Sequence, residues 1–514
     1  MSARDATGTR VPDRLVRLFS RDGLRDATAL GQSYLSRPYS SLQLIMLAGG
    51  GLLVFGLMMA TSTTISAGAE SGTSMWSQLT KEILFLVIGV PLFYLAARLP
   101  PRGYRYLVYP GLVFALLALA AVLVVGVDNF GARRWIDLGP FPFQPSEFAK
   151  LAVLLWGADL LVRKQHFGTL TRARHLFVPL VPMFVLVCGL VMLEPDLGTT
   201  LCFLMILIGL LWSVGLPLRY FAGLVLMVAG AVTLLAVSAS YRMQRLLTFT
   251  DPFKDKQGAG YHTVEGIYAL ASGGLFGVGL GNGTSKYLWV PNANTDYVFS
   301  IIGEELGLIG TVAVLALFGL FAYAGMRISR RSADPFARLV AGAATIWICG
   351  QALINIGYVT ALLPVTGIPL PFISAGGTSL LATFVVFGML VSFARHEPAA
   401  VAAAQARSAA GELSRLERWL RLRPARPYVA PPVPAPRAAR PAAASPARRP
   451  APARPVTSRP AAPATKTSQT APATKTGRTA HQSAPTSQPG RPAQTRRTPA
   501  GLRPTGTDAR RPRP

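Results

Sequence analysis

Cysteine is almost absent from this 514-residue chain, and its three cysteines, Cys188, Cys202 and Cys349, all lie inside apolar runs. That placement excludes a disulfide framework and a cysteine-based zinc site, and it is typical of thiols that pack as small hydrophobic side chains. The five histidines lie in different loops and in the tail, without the spacing of metal ligands. A Walker pattern is missing, and the glycines of residues 277–283 lack the spacing of a dinucleotide-binding turn. The sequence indicates no nucleotide site.

Charged residues are also scarce, at 14% of the chain, whereas 51% of the residues are hydrophobic. Uncharged runs recur from Leu42 to Phe393, which excludes an ordinary soluble core and a nucleic-acid-binding domain. A hydrocarbon layer of about 30 Å needs about 20 helical residues. Apolar runs of that length are centred near residues 51, 89, 117, 155, 185, 206, 229, 312, 349 and 385. The sequence therefore predicts an all-α polytopic membrane protein with ten transmembrane helices.

Arginine and lysine predict the orientation of these helices. Short basic connections follow the second, fourth, sixth and eighth runs, and such connections face the cytoplasm. They carry Arg98, Arg102, Arg105, Arg163, Lys164, Arg172, Arg174, Arg219, Arg327, Arg330, Arg331 and Arg338. Both termini are basic as well, so we expect both in the cytoplasm. The long connection between the seventh and eighth helices, 240–297, is then extracytoplasmic, and its length favours a functional segment.

The two ends of the chain differ in composition from its middle. Residues 1–41 are expected to be cytoplasmic, and without the short apolar core and cleavage site of a signal peptide they leave the first helix as a retained anchor. The last 120 residues hold 23 of the 51 basic residues and 22 of the 41 prolines. Such a segment cannot bury enough apolar area to fold. We predict a ten-helix membrane domain at 42–395 and a disordered, basic cytoplasmic tail at 396–514.

Cations occur on the outer face, where the topology rule does not call for them. The connection before the fourth helix carries Arg133, Arg134 and Lys150, and Lys150 stands one turn from Glu147. One interpretation is a local Glu147–Lys150 ion pair with headgroup anchoring. The other is binding of a phosphorylated ligand, because the planar arginine fork fits phosphate oxygens. The long connection adds further candidate cations for this second interpretation, Arg242, Arg245 and Lys286.

Acidic residues stand at the end of the long connection and inside the next helix. Asp296 lies at the mouth of that helix, where an aspartate is either an N-cap or a carboxylate able to take a proton from a substrate hydroxyl. Glu304 and Glu305 lie about 12 Å deeper along the axis. Adjacent helical residues point about 100° apart. At least one of the two should therefore face the protein interior, as a functional acid or as a buried polar contact.

Residues 363–379, before the last helix, combine three prolines and three glycines with apolar side chains. Interrupted helix at membrane depth is tolerated only where protein or a water-filled cavity covers the freed backbone groups. The segment is therefore either a plain tight turn or the wall of a cavity. Its candidate supporting residues are Ser374, Gly376 and Gly377.

Four blocks, in this order over ten apolar runs, resemble the SEDS family of peptidoglycan glycosyltransferases: residues 131–150, 241–252, 273–305 and 355–379. The resemblance covers roughly residues 40–395, and the long basic Pro/Ala tail looks more like that of the family's division members than of its elongation members. It implies polymerisation of lipid II, a disaccharide-pentapeptide on undecaprenyl pyrophosphate, at the outer face of the bacterial plasma membrane. It also implies a class B penicillin-binding transpeptidase as partner, and a place at the division septum.

The resemblance also implies residue roles. The family's catalytic aspartate matches Asp296, which would deprotonate the acceptor 4-hydroxyl for an inverting attack on the donor's anomeric carbon. Basic residues would stabilise the departing pyrophosphate. Those at matching family positions are Arg133 or Arg134, Lys150, Arg242 and Arg245, and Lys286 joins them by its charge. No nucleotide is needed; any divalent cation that assists the pyrophosphate would be hard and oxygen-bound.

This chain departs from the family's pattern at three places. Residues 291–294, Pro-Asn-Ala-Asn, replace a frequent Pro-Glu-x-His. His262 and Glu265 stand where glutamines are frequent, and Ala375 stands where a tyrosine is common. Because Asp296 and the basic positions are retained, these departures affect only the finer substrate contacts.

Two other functions fit the same topology. A lipid-precursor flippase would use Glu304, Glu305 and the cationic loop as a path, and it would tolerate Asp296→Asn. A non-catalytic divisome scaffold would act chiefly through the tail, where residues 411–423 interleave leucines with arginines. That segment would lie on the anionic inner leaflet, and the Pro/Arg segment beyond it would reach acidic partners such as an FtsZ tail, unless the tail is only a solvated linker.

Overall fold

The computed structural model describes residues 33–70, 75–129, 132–139, 142–168, 177–237, 249, 252–254, 260–287, 294–410 and 425–430. Its helices are α1 (Ser40–Glu70), α2 (Met75–Arg98), α3 (Pro101–Val125), α4 (Pro145–His166), α5 (Leu180–Leu193), α6 (Leu197–Ser213), α7 (Leu218–Val237), α8 (Tyr261–Ser272), α9 (Val298–Arg331), α10 (Pro335–Val359), α11 (Thr378–Arg395) and α12 (Pro398–Ala409). Between α3 and α4 lie the strands β1 (Val127–Asn129), β2 (Ala132–Asp137) and β3 (Pro142–Phe143).

A helix lies at each of the ten predicted positions, α1 to α7 and α9 to α11. Within the described residues, six of them, α1, α2, α3, α9, α10 and α11, are long and apolar enough to cross a membrane, and α5 and α6 are apolar but shorter. The chain is therefore a helical membrane protein, while the full count of ten spans stays a prediction. Its core is built by α10 packed between α6 and α9, with α1 against α9, α2 against α11 and α3 against α4.

Proline sets the start of several helices. Pro101, Pro145 and Pro335 each occupy the first turn of their helix, where a missing backbone N–H costs nothing. The last of these helices is also capped by Asp334, whose Oδ1 accepts a hydrogen bond from the N–H of Phe336 at 2.9 Å. Sequence features near the helix starts therefore fix where α3, α4 and α10 begin.

A small antiparallel sheet replaces the loop that was expected between α3 and α4. The strand order is β1-β2-β3, with Val127 opposite Trp135 and Ile136 opposite Phe143. The all-α prediction is wrong here, because this connection holds aromatic and β-branched residues that pair well across strands. The sheet gives the segment that carries Arg133 and Arg134 a fixed direction.

A kink interrupts α9 at Gly307, whose φ of 66° and ψ of −162° suit only glycine. The kink frees backbone groups on both sides, and the loop after α8 takes them up. Val278 N and Gly279 N donate to the carbonyls of Glu304 and Glu305, at 3.0 and 3.1 Å. In the other direction, Leu308 N donates to Gly274 O at 2.9 Å. A non-helical segment deep in the bundle thus keeps its backbone hydrogen bonds satisfied.

Ordered structure continues past the predicted domain boundary at residue 395. Helix α12 follows α11 directly, and Val401 is buried. The carbonyl of Ala400 accepts a hydrogen bond from the Tyr39 hydroxyl at 3.2 Å, and buried Glu397 lies 3.8 Å from the Arg331 guanidinium. The alanine-rich start of the tail therefore packs on the membrane domain. Residues 411–423 and 431–514, on which the amphipathic and disordered predictions fall, lie outside the described residues.

Candidate active site

A cavity of about 1370 Å³ opens between α1, α2, β2, α4, α6 and α11. The amino-terminal parts of α2, α4, α6 and α11 line it, whereas the basic connections lie at the carboxyl ends of the same helices. The cavity is therefore at the end of the bundle opposite the arginine-rich end. The residues between α10 and α11 contribute one wall, so the cavity-wall interpretation of 363–379 is confirmed.

Asp296 lines this cavity. The N-cap position of α9 is Tyr297, whose side chain makes no capping hydrogen bond, so Asp296 stands one residue before the N-cap. A methyl group on Gly367, which has a φ of 69°, would stand 3.7 Å from Asp296 Oδ2. The carboxylate therefore lies beside the turn of the neighbouring wall, at the surface of the cavity.

Backbone contacts hold the Asp296 loop in place. Asn355 Nδ2 and the Tyr358 hydroxyl, both from α10, each donate to the backbone carbonyl of Asp296 at 3.0 Å. From the other wall, Ser374 Oγ donates to Thr295 O at 2.5 Å. The loop is thus fixed on two sides by groups that do not use the Asp296 carboxylate.

Lys150 lines the cavity from the first turns of α4. Its Nζ lies 2.8 Å from Glu147 Oε2, and both side chains are almost completely buried. The indole ring of Trp347 lies 5.2 Å from the same ammonium group, which adds a cation–π contact. The local ion pair is confirmed, and it does not exclude the ligand interpretation, because both partners also line the cavity.

Arg134 lines the cavity from β2 and is bound to the turn between α5 and α6. Its guanidinium donates to the carbonyls of Glu194 and Pro195, at 3.2 and 2.5 Å. Asp196 follows in the same turn, lines the cavity and caps α6 through Thr199 N at 3.0 Å. Three polar residues, Arg134 from β2 and Glu194 and Asp196 from this turn, therefore border the cavity or support its border.

Glu194 is the titratable group of this turn that the structure perturbs most. The pKa of its carboxyl is raised from the usual 4.5 to about 8, because burial and, to a smaller extent, the Asp196 carboxylate together outweigh the opposing effect of Arg134. Neither carboxyl oxygen has a hydrogen-bond partner among the described residues. A buried carboxyl in this setting is stable in its protonated, neutral form.

The Glu194 carboxyl should make stability fall as the pH rises. Its folded pKa lies above its unfolded value, so the native state retains a proton that the unfolded chain loses between 4.5 and about 8. The stabilisation is complete below pH 4.5 and is lost as the pH approaches 8. We expect the melting temperature of the detergent-solubilised protein to fall less between about pH 6 and about pH 9 in Glu194→Gln than in wild type. Parallel pH curves for the two proteins would contradict this.

The other predicted site residues fall partly outside the cavity and partly on its wall. Arg133 is about half exposed, pairs with Asp128 at 3.7 Å and does not line the cavity. Glu304 and Glu305 are both buried, which confirms that this region of α9 faces the interior, yet neither lines the cavity. Of the supporting candidates, Ser374, Gly376 and Gly377 all line it. Arg242 and Arg245 lie outside the described residues.

Lys286 is not a cavity cation in this structure, in contrast to its predicted role. Its Nζ lies 2.7 Å from Glu305 Oε1 and 2.8 Å from both Ser62 Oγ and Gly281 O, and its side chain is fully buried. Next to it, Glu304 Oε1 accepts from Thr284 N at 2.8 Å. These residues join α1, α9 and the loop after α8, so the charge of Lys286 is used to hold the fold together.

Three charged cavity residues were missed at the sequence level, namely Lys81, Glu82 and Asp196, and so was Glu194, which is buried in the turn before Asp196. Each was visible as a charge at the edge of an apolar run, but nothing in its neighbourhood suggested a ligand. Asn355 and Tyr358 were missed because their role depends on a loop about 60 residues away in the chain. Across the part of the chain that the structure describes, no group of three His, Cys, Asp or Glu residues is placed to hold a metal ion.

The family model for FtsW, RodA and SpoVE, described as cell cycle proteins, matches residues 42–399. Among curated relatives, the probable peptidoglycan glycosyltransferase FtsW of Mycobacterium tuberculosis H37Rv is 42% identical over 410 residues, covering 79% of this chain and 77% of that protein. The protein with the same description from Legionella pneumophila is 35% identical over 348 residues, covering 66% of this chain and 87% of its own.

Solved structures show the same relationship. A chain of a peptidoglycan synthase complex that coordinates polymerization and crosslinking superposes with a TM-score of 0.57 at 28% identity, covering 69% of this chain and 97% of that one. The rod shape determining protein RodA of Thermus thermophilus superposes with a TM-score of 0.50 at 29% identity, covering 68% and 97%. With a family model that spans most of the chain and relatives that share its length, this chain belongs to the FtsW/RodA/SpoVE family of cell cycle proteins.

Proposed function

We propose that this chain is a peptidoglycan glycosyltransferase that polymerises lipid II into glycan strands, with Asp296 as its general base. Its curated relatives are described as probable peptidoglycan glycosyltransferases. The observation that carries the proposal for the site is the position of Asp296, a carboxylate on the surface of a large cavity that also contains Arg134 and Lys150. A base and cationic groups in one cavity are what glycosyl transfer from a diphosphate requires.

In the proposed reaction the Asp296 carboxylate accepts the proton of the acceptor 4-hydroxyl. The hydroxyl oxygen then attacks the anomeric carbon of the donor from the face opposite the diphosphate, so a glycosidic bond forms with inversion as the anomeric C–O bond breaks. The fixed backbone of the Asp296 loop supports this role, because a base must hold its position relative to the substrate. Undecaprenyl diphosphate is the leaving group.

Cations stabilise the negative charge that develops on the leaving diphosphate. In this proposal Arg134 and Lys150 provide that stabilisation. Arg133, Arg242 and Arg245 remain candidates from the two outer connections. The Glu147–Lys150 contact keeps the ammonium group charged and oriented in a buried place. The Arg134 contacts to the turn at Glu194 and Pro195 orient the guanidinium in the same way.

The proposed topology has ten spans, both termini in the cytoplasm and the cavity at the outer face. Its support is the distribution of charge along the helices. The cavity lies at the ends of α2, α4, α6 and α11 that are opposite the arginine-rich connections. Short basic connections are cytoplasmic, so the cavity would open towards the outer leaflet, where a lipid-linked sugar is available for polymerisation.

We also propose a class B penicillin-binding transpeptidase as partner and the division septum as the site of action. One structural neighbour belongs to a peptidoglycan synthase complex that coordinates polymerization with crosslinking. The curated relatives carry the name FtsW, and the basic Pro/Ala tail of this chain resembles that of the family's division members. The proposed contact of that tail with acidic divisome proteins, FtsZ among them, is supported only by the basic charge of the tail.

The flippase interpretation loses its main support. It relied on Glu304 and Glu305 as residues along a transport path. Both are buried in contacts that hold the loop after α8, and neither lines the cavity. A pure scaffold would not need a carboxylate beside cations in a cavity of this size. The enzymatic function is therefore the one that the geometry supports best.

Purified protein with its partner, whose transpeptidase site is inactivated, should convert lipid II into glycan strands. Product length on a gel, with and without a muramidase that digests glycan, measures the activity. Transfer of lipid II across vesicle membranes by the same preparation, with no polymer formed, would replace the enzyme by the flippase.

A further inference from the structure

Three described cations line the cavity: Lys81, Arg134 and Lys150. Lys150 is paired with Glu147, and Arg134 donates to two backbone carbonyls. Lys81, on α2, makes no ion pair and no hydrogen bond with any described residue. Among the three described cavity cations, Lys81 is therefore the one without a protein partner for its charge. The proposed mechanism does not use it.

The amino terminus of α11 borders the same side of the cavity. Lys81 stands one turn before Phe85 on α2, so both lie on one helix face. The Phe85 ring would lie 3.1 Å from a methyl group on Gly377, the uncapped N-cap residue of the 18-residue helix α11. Helix amino termini carry partial positive charge and free N–H groups. Lys81 therefore lies one turn of α2 from the residue that contacts this helix end, and both positive groups line the same cavity.

Hydroxyl groups at this helix end also lack partners. Ser379 lines the cavity while only 6% exposed, and its hydroxyl has no hydrogen bond to the described residues. Thr378 Oγ1 is buried and likewise has no partner among them. Buried hydroxyl groups are almost always paired in native structures, so an unpaired one at a cavity surface points to a ligand. We call the four residues that line the cavity here, Lys81, Gly376, Gly377 and Ser379, the Lys81 corner.

The walls beside the Lys81 corner are apolar and exposed. Leu57 of α1 and Ile83 of α2 line the cavity and are 53% and 50% exposed. Glu82 is also on α2, about 100° around the helix from Lys81. A small anion would gain nothing from the leucine and isoleucine side chains, whereas a polyprenyl chain attached to a phosphate group would cover them. The chemistry on this side of the cavity fits an anionic, chain-bearing lipid.

We propose that the Lys81 corner binds the diphosphate of the acceptor, the second of the two lipid-linked molecules that the reaction joins. This inference rests on the proposed function. The acceptor diphosphate keeps its bonds during the reaction, so its site must bind an existing charge and need not stabilise a new one. One lysine, a helix amino terminus and a hydroxyl group are enough for such binding. The donor diphosphate gains charge as it leaves and is assigned to Arg134 and Lys150. The 374–375 segment, hydrogen-bonded to the Asp296 loop, links the two places.

The kinetic test varies lipid II as acceptor against a fixed concentration of a lipid-linked oligosaccharide donor, with the full chain and its inactivated partner. Lys81→Met should raise KM for the acceptor about tenfold, the size of one lost charge-assisted contact, and leave kcat nearly unchanged. Lys81→Arg should restore most of the affinity, and Ser379→Ala should show a smaller rise in KM. Lys254→Met is the matched control, because that exposed lysine does not line the cavity. A loss of kcat at unchanged KM in Lys81→Met would overturn the acceptor assignment.

A binding measurement keeps this inference separate from the proposed activity. Thermal stabilisation of the detergent-solubilised full chain is titrated with undecaprenyl diphosphate, undecaprenol, phosphatidylglycerol and inorganic pyrophosphate. The Lys81 corner predicts stabilisation by undecaprenyl diphosphate that weakens about tenfold in Lys81→Met, and none by undecaprenol. Equal affinity of wild type and Lys81→Met for undecaprenyl diphosphate would overturn the assignment of the Lys81 corner as a diphosphate site, even if polymerisation is observed. An equal, Lys81-dependent response to phosphatidylglycerol would replace the diphosphate by any anionic headgroup.

Discussion

Replacing Asp296 by asparagine is expected to lower the rate of glycan polymerisation by about 10²–10⁴-fold, the usual contribution of a positioned general base. Asparagine has nearly the same shape but cannot accept the proton of the acceptor hydroxyl. The loop should keep its place, because Asn355, Tyr358 and Ser374 hold it through backbone carbonyls. The loss should therefore appear in kcat, with KM for lipid II changed little.

The measurement is the initial rate of polymer formation from lipid II by wild type and Asp296→Asn at matched concentrations of folded protein. Asp137→Asn is the matched control. Asp137 lies in β2 of the connection before α4, does not line the cavity and accepts a hydrogen bond from Gly139 N at 2.9 Å, which the asparagine oxygen can keep. Polymer formed by Asp296→Asn at the control's rate would remove Asp296 as the base. A comparable loss in both variants would mean that the effect is not specific to the cavity.

Replacing Lys286 by methionine should destabilise the fold by about 3–5 kcal/mol, because it leaves Glu305 buried without its ion partner. The Glu305 side chain is fully buried, and among the described residues it would keep one hydrogen-bond donor, the Ser62 hydroxyl 2.6 Å away. Substituting both members, Lys286→Met with Glu305→Leu, should recover most of that loss, since two apolar side chains of similar volume leave no buried charge.

Thermal unfolding in detergent compares the two variants with wild type. Arg133→Met is the matched control, because the Arg133–Asp128 pair is about half exposed on both sides and such pairs contribute about 0–1 kcal/mol. If Lys286→Met unfolds like the control but loses polymerisation, the lysine binds substrate and the structural role assigned to it is wrong. Loss of stability that the double substitution repairs would establish the structural role.

Apolar run length was enough to place ten helices, because burial in a membrane demands about 20 apolar residues whatever their order. The small sheet was not predicted, because its strands have only two to six residues and two of them carry charges. It also explains why one of two adjacent arginines reaches the cavity. Successive residues of a strand point to opposite faces, so the side chain of Arg134 lines the cavity while that of Arg133 pairs with Asp128 outside it. A loop prediction could not make that distinction.

Local sequence left Asp296 as either an N-cap or a proton acceptor, and only the resemblance to the SEDS family indicated it as the catalytic base. The fate of Lys286 could not be predicted in the same way. Its partners are Glu305, Gly281 and Ser62, and the last of these is 224 residues away in the chain. Only packing brings α1 against α9 and closes that contact. Charge near a candidate site is therefore a poor guide wherever a distant helix can supply a buried counter-ion.

Helix α12 was not predicted, because the composition of the tail was averaged over the last 120 residues. The segment from Pro398 to Ala409 is mostly alanine, the residue with the best helix propensity, and contains none of the prolines that dominate the later tail except at its first position. Its contact with α11 and with Tyr39 then gives it a packing surface. A shorter window would have separated this helix from the basic repeats.

The break in α9 at Gly307 has a consequence for how this region opens. The amides of Val278, Gly279 and Leu308 are protected by pairing between the loop and the broken helix. Each side supplies hydrogen-bond partners for backbone groups of the other. Segments coupled in this way are expected to exchange their amide hydrogens together, as one cooperative unit. We therefore expect hydrogen exchange to show the loop after α8 and the part of α9 around Gly307 as a single foldon, in which a segment of irregular conformation is protected together with the helix beside it.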